Sequence, residues 1–123
     1  MPDISDAGEY LVVQVEGTTA QDIVETLKAA YRYPEYHQRN ALWSFRNNHF
    51  EVSLEQLKLV TEFIRANYPA DAPRTRRAIV VSPGLTAGFA EVWASWNNDL
   101  PYDVRVFYSE AEATAWLRDA PVA

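Results

Sequence analysis

The stretch Arg76-Arg77-Ala78-Ile79-Val80-Val81 determines the expected fold class, because four consecutive apolar residues follow two arginines. A strand whose side chains do not alternate between polar and apolar is typical of a parallel strand that helices cover on both faces. Ser82-Pro83-Gly84 follows directly and predicts a turn from this strand into a helix. We therefore expect further strands and helices to alternate in the sequence before and after this run.

Strand and helix signals do alternate along the rest of the chain. Three more strands are predicted at residues 10–15, 41–45 and 104–108, and residues 32–40 resemble a polar loop. A capping box is a pair of side chains that each satisfy the other residue's free backbone N–H at a helix start. Three such boxes are predicted, at Thr18 with Gln21, Ser53 with Gln56, and Ser109 with Glu112. The order βαβαβαβα predicts a mostly parallel sheet with right-handed crossovers, and it leaves the strand order open.

Length and composition limit the class of protein. A chain of 123 residues forms a single domain, here residues 1–123 with a core at about 10–118. The net charge of −6 argues against nucleic-acid binding, and the absence of cysteine removes disulfides and thiolate chemistry. Residues 1–6 lack the features of a secretion signal, and no apolar run approaches the ~20 residues of a membrane span. We expect a cytoplasmic protein.

Several segments together resemble one known family. The segments are Gln14–Thr19, Ala41–Arg46, Arg76–Ser82, Gly88–Ala90, Val104–Phe107 and Glu112–Leu117. Their order and spacing are similar to those of the STAS-like proteins of the SpoIIAA-like type, over residues 10–118. This resemblance implies an α/β fold, the STAS/SpoIIAA-like sandwich, with four or five mostly parallel strands and about four helices.

The resemblance also implies a type of function. Anti-sigma factor antagonists of the wider STAS family are protein-binding switches with a phosphorylatable serine in an Asp-Ser-[Ser/Thr]-Gly segment. The corresponding stretch here, Arg46–Ser53, lacks that motif, and Ser44 stands where many relatives have Asp. We therefore expect a non-catalytic protein-interaction or regulatory domain without the phosphoserine switch.

The turn after the central strand is the candidate ligand site. Free backbone N–H groups and the helix dipole at a helix N-terminus favour anions, and hydroxyl groups add donors. The candidate ligand-binding residues are Ser82, Gly84, Thr86 and Gly88. An alternative function is therefore a carrier or sensor of a small apolar or acidic ligand around Ser82–Phe89. Simple capping and tight packing would explain the same residues.

Two aromatic segments are candidate partner surfaces, because tyrosine, tryptophan and arginine are enriched at binding hot spots. The candidate partner-binding residues are Tyr33, Tyr36, Arg39, Arg46, Phe50, Trp93 and Trp96. The tyrosines could instead pack under a loop beside solvated arginines. Trp93 and Trp96, with Phe89 and Val92, could form core, a homodimer face or an apolar ligand groove.

The remaining polar groups give weaker signals. His37 and His49 lie twelve residues apart without a recognised ligand spacing, so we expect solvent-facing loop histidines and no metal. Arg74, Arg76 and Arg77 are interpreted as a solvated edge that discourages strand addition. Catalytic and nucleotide-binding motifs are absent, and an enzyme would depend on scattered groups. These groups are Ser44, His49, Ser82 and Asp99. We expect no catalytic residue and no cofactor.

Overall fold

A five-stranded sheet forms the centre of the protein. The computed structural model describes residues 3–15, 19–45, 53–81, 91–92, 94–95 and 100–119. The strands are β1 (Asp3–Asp6), β2 (Leu11–Gln14), β3 (Ala41–Ser44), β4 (Arg76–Val80) and β5 (Asp103–Phe107). They lie in the order β1-β2-β3-β4-β5, with β1 antiparallel and the other neighbours parallel. The α/β class and the mostly parallel sheet predicted from the sequence are confirmed.

The antiparallel strand β1 has no counterpart among the predicted strands. It is short and polar, and of its residues Ile4 packs against the core. The chain turns back into β2 through Gly8, whose φ of 95° suits a residue without a Cβ. Gly8 N donates to Asp6 Oδ1 at 2.8 Å, which closes this turn.

Three helices are described, and side-chain caps fix where they begin. They are α1 (Ala20–Arg32), α2 (Leu54–Asn67) and α3 (Glu110–Arg118), with a 3-10 turn at Tyr36–Gln38. Ser53 and Ser109 are the N-caps of α2 and α3, as predicted. The box is complete for Ser53 with Gln56, whereas at Ser109 the structure describes only the bond from Glu112 N to the serine side chain. The box predicted for α1 is off by one residue, because Thr19 pairs with Asp22. A carboxylate in the first turn also interacts favourably with the helix dipole.

The helices cover both faces of the sheet. Right-handed crossovers between sequential parallel strands place α1 and α2 on the same face. There Leu27 and Ile64 pack with Val13 and Ile79 in the larger core cluster. On the opposite face, α3 packs against β3 and β4 in a second cluster. That cluster contains Tyr10, Leu42, Ala78, Val80, Ala113 and Leu117. The apolar run in β4 is buried from both sides, as its sequence predicts.

The helix predicted around Phe89 and Trp96 lies mostly outside the described residues. Within it, Glu91, Val92 and Ala94 are helical, and Ala94 packs against the larger core cluster. Val92, predicted on the apolar stripe, is 39% exposed. Among the described residues, no helix is both long and apolar enough to cross a membrane.

Candidate binding sites around Arg77 and Trp116

The structure describes some of the predicted site residues and not others. Ser82, Gly84, Thr86, Gly88, Arg46, Phe50, Trp93 and Trp96 lie outside the described residues, as do His49 and Asp99. The anion site and the Trp93–Trp96 surface therefore stay predictions. Tyr33, Tyr36 and Arg39 are described, and they lie close together after α1.

Tyr36 belongs to the core in this structure. Its side chain is 2% exposed, and its hydroxyl accepts a hydrogen bond from Trp43 Nε1 at 3.1 Å. A ring so deeply buried does not present itself to a partner, so the interpretation of Tyr36 as a packed residue fits better. Tyr33 is the C-cap of α1 and packs half-buried against the core.

Arg39 connects the loop after α1 to the β1–β2 turn. Its guanidinium forms a bidentate pair with the Asp6 carboxylate at 2.7 and 2.8 Å, and it donates to Gly8 O at 2.7 Å. Hydrogen bonds from Arg39 and from the Gly8 backbone lower the pKa of Asp6 to about 2. The packing interpretation expects solvated arginines, whereas Arg39 is half-buried and paired with Asp6. A contact role for Arg39 or Tyr33 stays a prediction.

Arg77 is not part of a solvated edge. It is 2% exposed, and its strand β4 pairs with β3 on one side and β5 on the other. Strand side chains alternate between faces, so Arg77 points to the same face as Ile79 and Val81. This face lies under α1 and α2, which explains why the interpretation as an edge guard is wrong for Arg77.

The buried guanidinium of Arg77 is held by neutral groups. It donates to the carbonyl oxygens of Arg39 and Tyr36 and to the Tyr68 hydroxyl, which lies at 3.2 Å. The rings of Tyr36 and Tyr102 lie 4.5 and 5.1 Å from its central carbon, within cation–π range. No carboxylate contacts it among the described residues. The positive charge is therefore stabilised by carbonyl dipoles and by the faces of aromatic rings.

Tyrosine rings surround this cation. Burial raises the pKa of Tyr31, Tyr36 and Tyr102, so these phenols stay protonated. Three polar atoms near Arg77 are buried without a hydrogen-bond partner among the described residues. They are Arg77 Nε, His37 Nε2 and Tyr31 Oη. Buried polar atoms are normally paired, so the group has unused hydrogen-bonding capacity next to a positive charge.

His37 also differs from the solvent-facing histidine that we expected. Its ring lies 4.7 Å from that of Tyr31 on α1, 5.4 Å from that of Tyr36 and 4.8 Å from that of Tyr68 after α2. Loss of hydration, together with the charge of Arg77 on β4, lowers the pKa of His37 below its ordinary 6.5. The neutral imidazole is therefore the form that fits this site.

Acid should destabilise the fold through His37. The unfolded chain takes up a proton near pH 6.5 and the folded chain only at lower pH, so stability falls as the pH drops below about 6.5. Asp6 contributes separately, below its ordinary pKa of 3.8. Urea unfolding between pH 7.5 and 5.5 should show a flatter pH dependence in His37→Gln. His49→Gln, the matched control, should retain the slope; a slope carried by His49 alone would contradict the assignment.

A cleft opens beside Tyr68. Its volume is about 530 Å³, and it lies between the end of α2 and the residues before β5. Its lining consists of Arg65, Tyr68, Pro69, Ala70, Ala72, Arg74, Leu100 and Pro101. Arg74 pairs with Asp103 at 2.9 Å, and both side chains are about half exposed.

A second group of cations and rings lies on the opposite face, around Trp116 of α3. The central carbons of Arg76 and Arg105 lie 4.8 and 5.9 Å from the Trp116 ring, and the Phe107 ring lies tilted against it at 5.6 Å. Arg76 also donates to Trp116 O at 3.0 Å. Arg105 is exposed and has no carboxylate partner among the described residues. These four residues are called the Trp116 patch below.

Sequence reasoning missed the Arg77 site, the cleft and the Trp116 patch. Arg77, Ile79 and Val81 are every second residue of one predicted strand, so they share a strand face. This spacing is a usable signal, because it places the arginine on an otherwise apolar face. The cleft offers no comparable signal, since Arg65, Arg74 and Pro101 come together only through the fold.

The sheet order, the antiparallel first strand and the helices on both faces define a SpoIIAA-like α/β fold. The sequence matches no protein-family model and no curated protein. The structure is similar to the crystal structure of an uncharacterized protein from the DUF3478 family with a SpoIIAA-like fold, from Shewanella loihica PV-4. The TM-score is 0.53 at 20% identity, over 95% of this chain and 92% of the other. The resemblance inferred from the sequence is thus confirmed at the level of the fold.

Proposed function

We propose that this protein is a non-catalytic interaction domain that binds an acidic segment of a partner protein through the Trp116 patch. The observation that carries the proposal is the arrangement of Arg76 and Arg105 around the Trp116 ring. Arginine and tryptophan are the residues most enriched at the centre of protein interfaces. The patch is cationic on a chain whose net charge is −6, so it differs in sign from the molecule as a whole.

The geometry also supports a preorganised surface. The hydrogen bond to the Trp116 backbone carbonyl fixes the Arg76 guanidinium beside the ring, and the tilted Phe107 ring packs against Trp116. A side chain that is already ordered loses less conformational entropy on binding. Arg105, which is exposed, is left to pair with a carboxylate of the partner.

Site-specific photo-cross-linking tests this proposal. A photo-reactive amino acid replaces Ala115, which is exposed on α3 next to Trp116, in cells that produce the protein. We expect a discrete adduct, identified by mass spectrometry, that falls about tenfold or more when Arg105→Glu is added. An adduct of twice the chain mass would identify the partner as a second copy.

The control places the same amino acid at Lys58, which is exposed on α2 and remote in sequence from the patch. Circular dichroism should show that Arg105→Glu leaves the fold intact, since Arg105 is exposed. Equal adducts at both positions, or an Ala115 adduct that does not depend on Arg105, would rule out the patch as the contact surface.

A further inference from the structure

The cleft beside Tyr68 has the size of a small-molecule site. Its volume of about 530 Å³ lies within the ~300–1,000 Å³ typical of ligand pockets. Its lining combines the apolar residues Pro69, Leu100 and Pro101 with the cationic Arg65 and Arg74. Such a combination suits a ligand with an apolar body and one anionic end.

One carboxylate already occupies the cationic part. Arg74 contacts a single oxygen of Asp103 through two nitrogens, Nε and a terminal nitrogen, each at 2.9 Å. Both side chains are about half exposed, and exposed ion pairs of this kind contribute little to stability. A carboxylate from solution can therefore compete with Asp103 for Arg74. Asp71, an acid that lies between the lining residues Ala70 and Ala72 in sequence, is exposed and is not part of the lining.

A buried positive charge lies behind the wall of the cleft. Tyr68 lines the cleft, and its hydroxyl accepts a hydrogen bond from Arg77 at 3.2 Å. Arg77 is buried, has no carboxylate among its described contacts, and keeps an unpartnered Nε. A cation with low-dielectric surroundings raises the local concentration of anions at the adjoining surface.

From these observations we infer that the cleft binds a small carboxylic acid with an apolar body, whose carboxylate replaces Asp103 on Arg74. Arg74 is the specificity-determining residue for the charged end. Leu100 and the two prolines contact the apolar body. This site shares no residue with the Trp116 patch, so each proposal can fail without the other.

Benzoate is the probe, titrated into the ¹⁵N-labelled full chain at low salt. We expect saturable shifts at the Ala70, Ala72 and Leu100 amides with a dissociation constant near the millimolar range, on the order of what so small a ligand can reach. Acetate, which lacks the apolar body, and benzamide, which lacks the charge, should bind about tenfold more weakly or not at all.

Three variants separate specific binding from general attraction of anions. Asp103→Asn should bind benzoate about threefold more tightly, because the competing carboxylate is gone. Arg74→Gln should weaken binding about fivefold or more, and Arg118→Gln, an exposed arginine that pairs with Glu9, should change nothing. Unchanged binding in both Asp103→Asn and Arg74→Gln, or equal shifts with acetate, would overturn the inference.

Discussion

Replacing Arg77 by alanine should lower the free energy of unfolding by about 3–5 kcal/mol. The substitution removes hydrogen bonds to the carbonyl oxygens of Arg39 and Tyr36 and to the Tyr68 hydroxyl. It also leaves a cavity between the rings of Tyr36 and Tyr102, which now contact the guanidinium. Urea denaturation at pH 7.5, followed by circular dichroism, measures the loss.

Two further variants show the origin of the effect. Arg77→Met fills much of the volume but removes the donor to Arg39 O, whereas Tyr36 O keeps its bond from Arg39 N. We therefore expect a smaller loss, of about 1–3 kcal/mol. Arg118→Ala removes an arginine that is exposed and pairs with Glu9, and its cost should stay within about 0.5 kcal/mol. If Arg77→Ala cost no more than Arg118→Ala, the buried position of Arg77 would be wrong.

The second large effect is expected at Asn40. This residue lies just before β3, and its 2% exposed side chain connects α3 to β4. Its Nδ2 donates to Leu117 O of α3 at 3.1 Å, and its Oδ1 accepts from Arg76 N at the start of β4 at 2.8 Å. Asn40→Ala leaves a helix-end carbonyl and a strand amide unpaired in the interior. The expected loss is about 2–4 kcal/mol.

Asn67 provides the matched control for Asn40. It also donates to a backbone carbonyl, Phe63 O at 2.9 Å, but it lies exposed at the end of α2. Asn67→Ala should therefore cost about 0.5 kcal/mol or less. Hydrogen exchange adds a local measurement, because the Arg76 amide should exchange faster in Asn40→Ala. Equal losses in the two variants would contradict the bridging role of Asn40.

Much of the fold could be predicted because its signals are local. The apolar run in β4 is continuous in the sequence. The caps at Ser53 and Ser109 pair with residues three positions further along the chain. The predicted start of α1 is off by one residue because two adjacent threonines both fit the spacing of a capping box. Thr18 stands three residues before Gln21, and Thr19 stands three residues before Asp22. Strand β1 gives a weak local signal, since it is stabilised by pairing with β2 and by Arg39, which is distant in sequence.

The site could be predicted less well, for a different physical reason. Charged side chains are mostly exposed to solvent in folded proteins. Arg77 is an exception because carbonyl groups and rings from segments distant in the sequence surround it. Arg105 and Trp116 lie on successive elements and meet only when α3 folds over β5. The candidate turn at Ser82–Gly88 remains a prediction from local sequence.

The pairing of β1 with β2 also bears on aggregation. An uncovered strand exposes a row of backbone donors and acceptors that can recruit strands from other chains. Here β1 covers the outer side of β2 from Leu11 to Gln14, and the ion pair between Asp6 and Arg39 holds it there. The polar side chains of β1 make it a poor template for further pairing. This short strand thus protects the β2 side of the parallel sheet from intermolecular pairing.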